Sequence, residues 1–144
     1  MADITDTEAL EHAWRYFELH AAQRMQAFNY FLVIAGLALS GIGGCLASAS
    51  IRPVGMFIGA TLAMTAAVFY LIDKRTSFLI KHSEGCIVKL EEKVPPAGRV
   101  FTTEPAKTTA SKIPTYGTSF TAAFTAFAVV GLLGAASCWW TPHP

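Results

Sequence analysis

Hydrophobic residues in this chain are gathered into three long uncharged stretches. No Asp, Glu, Lys or Arg occurs between Arg24 and Arg52, between Arg52 and Asp73, or after Lys112. A helix needs about 20 apolar residues to cross a bilayer core of roughly 30 Å, and each charge at its centre costs about 2.5–3.5 kcal/mol. The pattern therefore predicts three transmembrane helices. Their ranges are 28–49, 54–72 and 117–140.

Amphipathic segments adjoin the first two of these spans. Through residues 7–27 apolar side chains recur every three or four positions, and the same period runs through residues 73–94. This period is typical of helices with one apolar face. Thr5 and Glu8 match the capping box that starts a helix. We therefore expect each segment to be a helix that is continuous with its span.

Two further features complete the predicted fold. Pro95 and Pro96 end the second amphipathic segment, because proline lacks the amide hydrogen that a helix interior needs. Residues 95–116 are rich in Thr, Pro and Lys without a period, which predicts a flexible loop. The predicted fold class is all-α. We expect one integral membrane domain over residues 1–144, with three transmembrane helices and two cytoplasmic amphipathic extensions.

The distribution of basic residues predicts the orientation. Two precede the first span and eight lie between the second and third, whereas only Arg52 lies on the other side. Lys and Arg collect in cytoplasmic flanks, so we place the amino terminus and the central segment in the cytoplasm and the carboxyl terminus outside. Aromatic residues at the predicted boundaries agree with this placement. The expected location is the inner membrane, as a multi-pass protein.

Small residues form two ladders with a four-residue repeat inside the first two spans. Helices associate in lipid where small side chains let their backbones approach and gain dispersion contacts. The ladders are therefore predicted contact faces, either between subunits of a homo-oligomer or between the two spans of one chain. Their members are Gly36, Ser40, Gly44 and Ser48 in the first span, and Gly55, Gly59, Ala63 and Ala67 in the second.

The spans lack the charged side chains with which coupled transporters bind ions or substrate inside the membrane. A pore lined by hydroxyl groups and glycine backbones stays compatible with such spans. The net charge of +1 gives no bulk attraction for nucleic acid, and the histidines have no partner at metal-ligand spacing. We therefore predict no enzyme activity, no cofactor, no metal and no nucleic-acid partner.

Aromatic and hydrogen-bonding residues concentrate just before the first span and just after the second. We interpret them as a cytoplasmic interaction cluster, in which Arg24 and Asp73 could pair at the membrane boundary. The first amphipathic helix is expected to pack on the second, with Trp14 and Phe17 against Leu79, Cys86 and Leu90. The cluster consists of Trp14, Arg15, Tyr16, Phe17, His20, Arg24, Asn29, Asp73 and Arg75.

Arg15 and His20 also fit the Arg-x4-His spacing of HEPN-type ribonucleases. There the histidine acts as acid or base and the arginine stabilises phosphate charge. Two residues five positions apart do not share a helix face, so packing is the simpler interpretation. A membrane-tethered ribonuclease is the minor alternative.

Two motifs flank the first two spans, Trp14-x-Tyr16-Phe17-x-x-His20 and Leu71-x-Asp73-x-Arg75. With them, the chain resembles the SLATT-type membrane effectors of prokaryotic conflict and anti-phage systems over residues 8–93. The resemblance implies a cytoplasmic helix, a two-span hairpin and a second cytoplasmic helix. It also implies oligomers that open or damage the inner membrane when a partner sensor signals, and it brings no catalytic residue.

These observations favour a non-enzymatic, homo-oligomeric inner-membrane protein that forms a pore or a membrane-perturbing assembly. On the resemblance, it would be a defence effector. The expected partners are the lipid bilayer, further copies of the chain and a soluble cytoplasmic sensor. The alternative function is a passive anchor or adaptor that recruits a soluble partner through the loop at residues 95–116.

Overall fold

A computed structural model describes residues 5–103 and 115–140, and these residues form three long helices. All three are long and apolar enough to cross a membrane by length and composition. The predicted all-α fold is confirmed, and the two described ranges contain no β-strand. The helices are α1 (Asp6–Ala47), α2 (Arg52–Glu91) and α3 (Tyr116–Trp140), with short 3-10 turns at Ala49–Ile51 and Pro96–Gly98.

The predicted capping box starts α1. The Thr5 amide donates to Glu8 Oε2 over 2.8 Å, and the Glu8 amide donates to Thr5 Oγ1 over 3.3 Å. The two side chains thus satisfy backbone groups that have no partner inside the helix. The Thr5 amide and the Thr5 hydroxyl both donate to Glu8 Oε2, and these two hydrogen bonds lower the pKa of the Glu8 carboxyl from its ordinary value of 4.5.

The chain folds into two compact units, each of which is built from two segments of sequence. The extension unit comprises Met1–Met25 and Lys74–Thr115, and the span unit comprises Gln26–Asp73 and Tyr116–Pro144. Each unit is held by its own contacts, which are set out separately below.

Phenylalanine side chains from all three helices form one half of the span unit's core. Phe28 of α1 stacks on Phe120 of α3 with ring centroids 4.2 Å apart. Phe31 is fully buried and meets Phe124 edge-on at 4.8 Å and Phe127 at 5.3 Å. The third span therefore belongs to the same bundle as the first two. The buried members of this core are Phe31, Ala35, Ile42, Leu62, Ala66, Phe120 and Phe124.

Glycines bring the helices close together in the other half of the span unit. A Cβ at Gly59 of α2 would lie 2.5 Å from the Gly131 carbonyl oxygen of α3. A Cβ at Gly134 would lie 2.9 Å from Ile42 of α1, and one at Gly55 would lie 2.7 Å from Cys138 Sγ. These positions have no room for a larger side chain, because backbone or packed side-chain atoms already occupy the space.

A narrow face of α2 forms the core of the extension unit. Ile80, Ser83, Ile87 and Glu91 are buried, whereas Cys86 is exposed. The prediction that Cys86 packs under the first amphipathic helix is therefore wrong. The buried face is turned by about one residue, because Ile87 carries more apolar surface than Cys86 and Glu91 finds hydrogen-bond partners that permit its burial.

Candidate functional site

The first ladder lies on a surface of α1 that neither α2 nor α3 covers. Gly36, Ser40 and Gly44 are exposed, and a Cβ built on either glycine would meet nothing within 4 Å. Gly43 on the same side is equally open. Ser40 Oγ donates to the Gly36 carbonyl oxygen over 2.9 Å, so its polarity is satisfied within α1. Here a smooth helix surface is open to a neighbour.

The last member of the first ladder lies beside the outer turn. Ser48 is half-buried and its hydroxyl lies 3.2 Å from that of Ser50. Both hydroxyls follow the end of α1 and precede Arg52, whose Nε and Nη1 atoms are buried without a hydrogen-bond partner. The ladder thus ends in a short polar turn.

The second ladder is used within the chain for most of its length. Gly55 and Gly59 are buried, and Ala63 is half-buried beside Gly131 of α3. Only Ala67 is exposed. The ladder of α2 therefore packs on α3, and at Gly55 also on Cys45 of α1. These contacts cover a surface that a second subunit could otherwise have used.

An apolar groove runs between α2 and α3 on the surface of the span unit. Ala67 and Tyr70 form one wall, and Thr125, Ala128 and Val129 belong to the other. The groove also contains the hydroxyl of Thr121, which is buried without a hydrogen-bond partner. Its lining is nearly all apolar or small, as a helix-docking surface in lipid requires.

The register of α1 against α3 places the exposed part of α1 level with this groove. Phe28 stacks on Phe120, and further along Ile42 touches the site of Gly134. The two helices run in the same direction, so Leu37 lies level with Val129. Both side chains are exposed, at 71% and 48%. The exposed surface of α1 and the α2–α3 groove therefore lie at the same level along the helix axes of the span unit.

Aromatic residues of the predicted cluster pack within the extension unit. Trp14 and Phe17 stack at 5.6 Å, and Phe101 meets Trp14 edge-on at 5.9 Å and Phe17 at 5.2 Å. Phe101 follows α2 in the segment predicted to be a flexible loop. Nothing in the periodicity of that segment indicated a contact with α1, so sequence reasoning missed it.

Glu91 is the second residue of this region that sequence reasoning missed. Its buried carboxylate accepts four hydrogen bonds from residues 100–102, at 2.9–3.1 Å. Burial raises the pKa of the Glu91 carboxyl, but the four donors outweigh that effect and leave the pKa below its ordinary value of 4.5. In the sequence Glu91 is one of two consecutive acidic residues, Glu91 and Glu92, and nothing distinguishes it from its neighbour.

Arg15 and His20 are occupied by separate partners along α1. Arg15 pairs with Glu11 one turn earlier. His20 Nδ1 lies 2.8 Å from the Tyr16 carbonyl oxygen, and its ring lies 4.1 Å from the Tyr16 ring. The structure does not bring Arg15 and His20 together as an acid–base pair.

The remaining cluster residues differ in exposure. Asp73 is buried and Arg24 half-buried, whereas Asn29 and Arg75 are exposed. The pairing of Arg24 with Asp73 stays a prediction. In the described part of the chain no group of His, Cys, Asp or Glu could hold a metal ion. The loop predicted at residues 95–116 is described only up to residue 103 and from residue 115, so most of it lies outside the described residues.

Comparison with known proteins gives one family and one partial relative. A model of the octameric membrane protein family (8xMP) matches residues 7–139. CD-NTase-associated protein 19 of Escherichia coli is 37% identical over 91 residues, an alignment that covers 59% of this chain and 57% of the relative. The chain therefore matches little more than half the length of that relative. No solved structure matches the chain at a significant level.

Proposed function

Because the chain belongs to the octameric membrane protein family, we propose that eight copies assemble in the inner membrane into a ring that opens a pore or otherwise perturbs the bilayer. Family membership and three candidate spans make this a multi-pass membrane protein. The partial likeness to a CD-NTase-associated protein, together with the resemblance to anti-phage effectors, supports a role in a defence system. The role is non-enzymatic in this proposal.

The observation that carries the proposal is the open glycine surface of α1. A glycine inside a helix costs about 1 kcal/mol relative to alanine in soluble hosts. Facing lipid, Gly36, Gly43 and Gly44 would gain nothing that offsets this cost. Facing another helix, they let the two backbones approach and gain dispersion contacts. Because the family is described as octameric, we take this neighbouring helix to belong to a second copy of the chain.

A closed ring requires two different surfaces on each subunit, because head-to-tail contacts join unlike faces. The α1 surface and the α2–α3 groove meet this requirement. Rotation about the membrane normal keeps every residue at its depth, so Leu37 of one copy would face Val129 of the next. The apolar groove has space for such a side chain, lined by Ala67 and Ala128.

The first experiment tests membrane perturbation and assembly together. Induced expression of the intact protein should depolarise cells, as measured with a potential-sensitive dye, and Gly36→Leu with Gly44→Leu should abolish depolarisation. The single chain has space for both side chains, so the fold should survive while assembly fails. Ala60→Leu, which also enlarges an exposed position of the span unit, is the matched control and should stay active.

Unchanged membrane potential on expression of the intact protein would refute the perturbation. In that case the adaptor function gains support if a soluble partner copurifies in fixed ratio and the Gly36→Leu, Gly44→Leu variant retains it. The ring is tested separately by cysteine crosslinking in mild detergent, with Cys45, Cys86 and Cys138 first replaced by alanine. Leu37→Cys with Val129→Cys should give a series of crosslinked products up to eight chains. Dimers alone would contradict a ring in which the α1 surface of one copy meets the α2–α3 groove of the next.

A further inference from the structure

One buried carboxylate fastens the turn that follows α2. Glu91 Oε1 accepts the amides of Val100 and Phe101, each over 3.1 Å. Glu91 Oε2 accepts the amide and the hydroxyl of Thr102, each over 2.9 Å. The Arg99 side chain also donates to the carbonyl oxygens of Val94 and Glu92, which connects the turn to the residues just after α2. The turn at residues 95–103 is therefore held by polar contacts in a fixed conformation.

This turn carries one large side chain onto α1. The Phe101 ring meets Trp14 and Phe17 edge-on, with centroids 5.9 and 5.2 Å away. Edge-to-face pairs at these distances are favourable contacts. Beside them, Lys93 Nζ donates to Asp6 Oδ1 over 2.6 Å, between side chains that are mostly exposed. Two edge-on ring contacts thus join the beginning of α1 to the turn after α2, and a surface ion pair joins it to the residue that follows the end of α2.

Little other apolar burial supports this junction. In the described part of the extension unit, Ile80 and Ile87 are the buried hydrophobic residues, whereas nine others lie in the span unit. Trp14 remains 46% exposed even under Phe101. Regions with few buried apolar contacts open locally at lower free energy than the core. The turn at residues 95–103 is therefore a main contact that keeps the beginning of α1 packed in the extension unit.

We propose that residues 91–103 form an autoinhibitory clasp, in which Glu91 positions Phe101 on Trp14 and Phe17 and thereby holds the beginning of α1 against the end of α2. Release of Phe101 frees that part of α1 and exposes its aromatic pair, and this release activates the assembly. The regulatory half of the proposal rests on the proposed membrane perturbation. The structural half, coupling of α1 to the turn, stands independently of it.

Hydrogen exchange of the full chain in detergent micelles tests the coupling. Phe101→Ala should speed exchange of the α1 amides around Trp14 and Phe17 by roughly 10- to 100-fold, because the ring that holds them is gone. Val100→Ala, at an exposed neighbouring position, is the matched control and should leave these rates unchanged. Unaltered rates in Phe101→Ala would overturn the clasp.

A dose series in cells tests the regulation with two independent variants. Phe101→Ala and Glu91→Gln should each depolarise cells at a several-fold lower expression level than the intact protein. Equal or higher thresholds in both variants, with an active intact protein, would overturn autoinhibition while leaving the proposed function in place. If neither the intact protein nor any variant depolarises cells, the proposed function fails, and the regulatory half of the clasp fails with it.

Discussion

Gly59→Ala should destabilise the span unit, because α2 and α3 touch backbone to backbone at this residue. The added Cβ would lie 2.5 Å from the Gly131 carbonyl oxygen and 2.8 Å from the Ala135 amide nitrogen. Ordinary contact begins at 3.4 Å, so the helices have to separate by roughly 0.9 Å. A gap of about 0.5–1 Å forfeits a quarter to a half of the dispersion attraction between the surfaces concerned.

The expected loss of stability in Gly59→Ala is large because the added methyl group meets backbone atoms, which cannot move as a flexible side chain can. Overpacking typically costs about 1–3 kcal/mol, and the upper end applies where backbone rather than a flexible side chain must move. We therefore expect a loss of about 3 kcal/mol, which is roughly a hundredfold change in the opening equilibrium.

Native thiols supply the assay. Cys45 and Cys138 are buried and Cys86 is exposed, so replacement of Cys86 by serine leaves two thiols that react only when the bundle opens. Gly59→Ala should raise their rate of labelling about a hundredfold in detergent. Gly44→Ala, at a position with nothing within 4 Å, is the matched control and should label at the original rate. Equal rates for the two variants would refute the backbone contact.

Three further outcomes are expected. Phe31→Ala should cost about 3–5 kcal/mol in the same assay because its ring is fully buried, whereas Phe57→Ala, 74% exposed, should cost little. Thr5→Ala should cost about 1 kcal/mol of local stability and speed exchange of the first α1 amides, unlike Thr7→Ala. Because the Glu91 pKa lies below 4.5, protection of the Val100–Thr102 amides should be constant above that pH and fall as the pH drops further. Protection that weakens already between pH 8 and 5 would exclude Glu91 as its source.

The spans could be predicted from the sequence, but their inward faces could not. Charge-free length alone identifies α3, yet no charged residue on an opposite face marks Phe120, Phe124 and Gly131 as the buried ones. In water the hydrophobic effect marks the inner face of a helix, whereas in lipid both faces are apolar. The phenylalanine core of the span unit was therefore not visible as a pattern.

The small-residue ladders show what such a pattern can and cannot predict. Gly59 and Gly44 look alike in the sequence, and both indicate a close approach of helices. One is buried against α3 and the other is open. The four-residue spacing indicates that one face of a helix has only small side chains. Which helix packs on that face depends on the rotation of all three helices about their axes, and the sequence of one helix does not determine that rotation.

In the extension unit, the sequence pattern predicts a packed face of α2 that contains Cys86 rather than Glu91, because carboxylates are rarely buried. Glu91 is buried through four hydrogen bonds from the turn that begins nine residues further along the chain. Such satisfaction of a charged group depends on tertiary structure. The pattern of polar residues along α2 therefore could not predict the burial of Glu91.

The buried positions of α3 also constrain how its length can vary. Phe124 and Gly131 are seven residues apart, two helical turns, and occupy one side of the helix. Deleting a single residue between them would leave the aromatic half in place but rotate everything beyond by about 100°. Leu132 would then replace the glycine at the crossing with α2, where not even a methyl group fits. Even a change of seven residues, which restores the helix face, would move Gly131 about 10 Å along the axis and away from Gly59. Insertions and deletions in this interval should therefore be rejected.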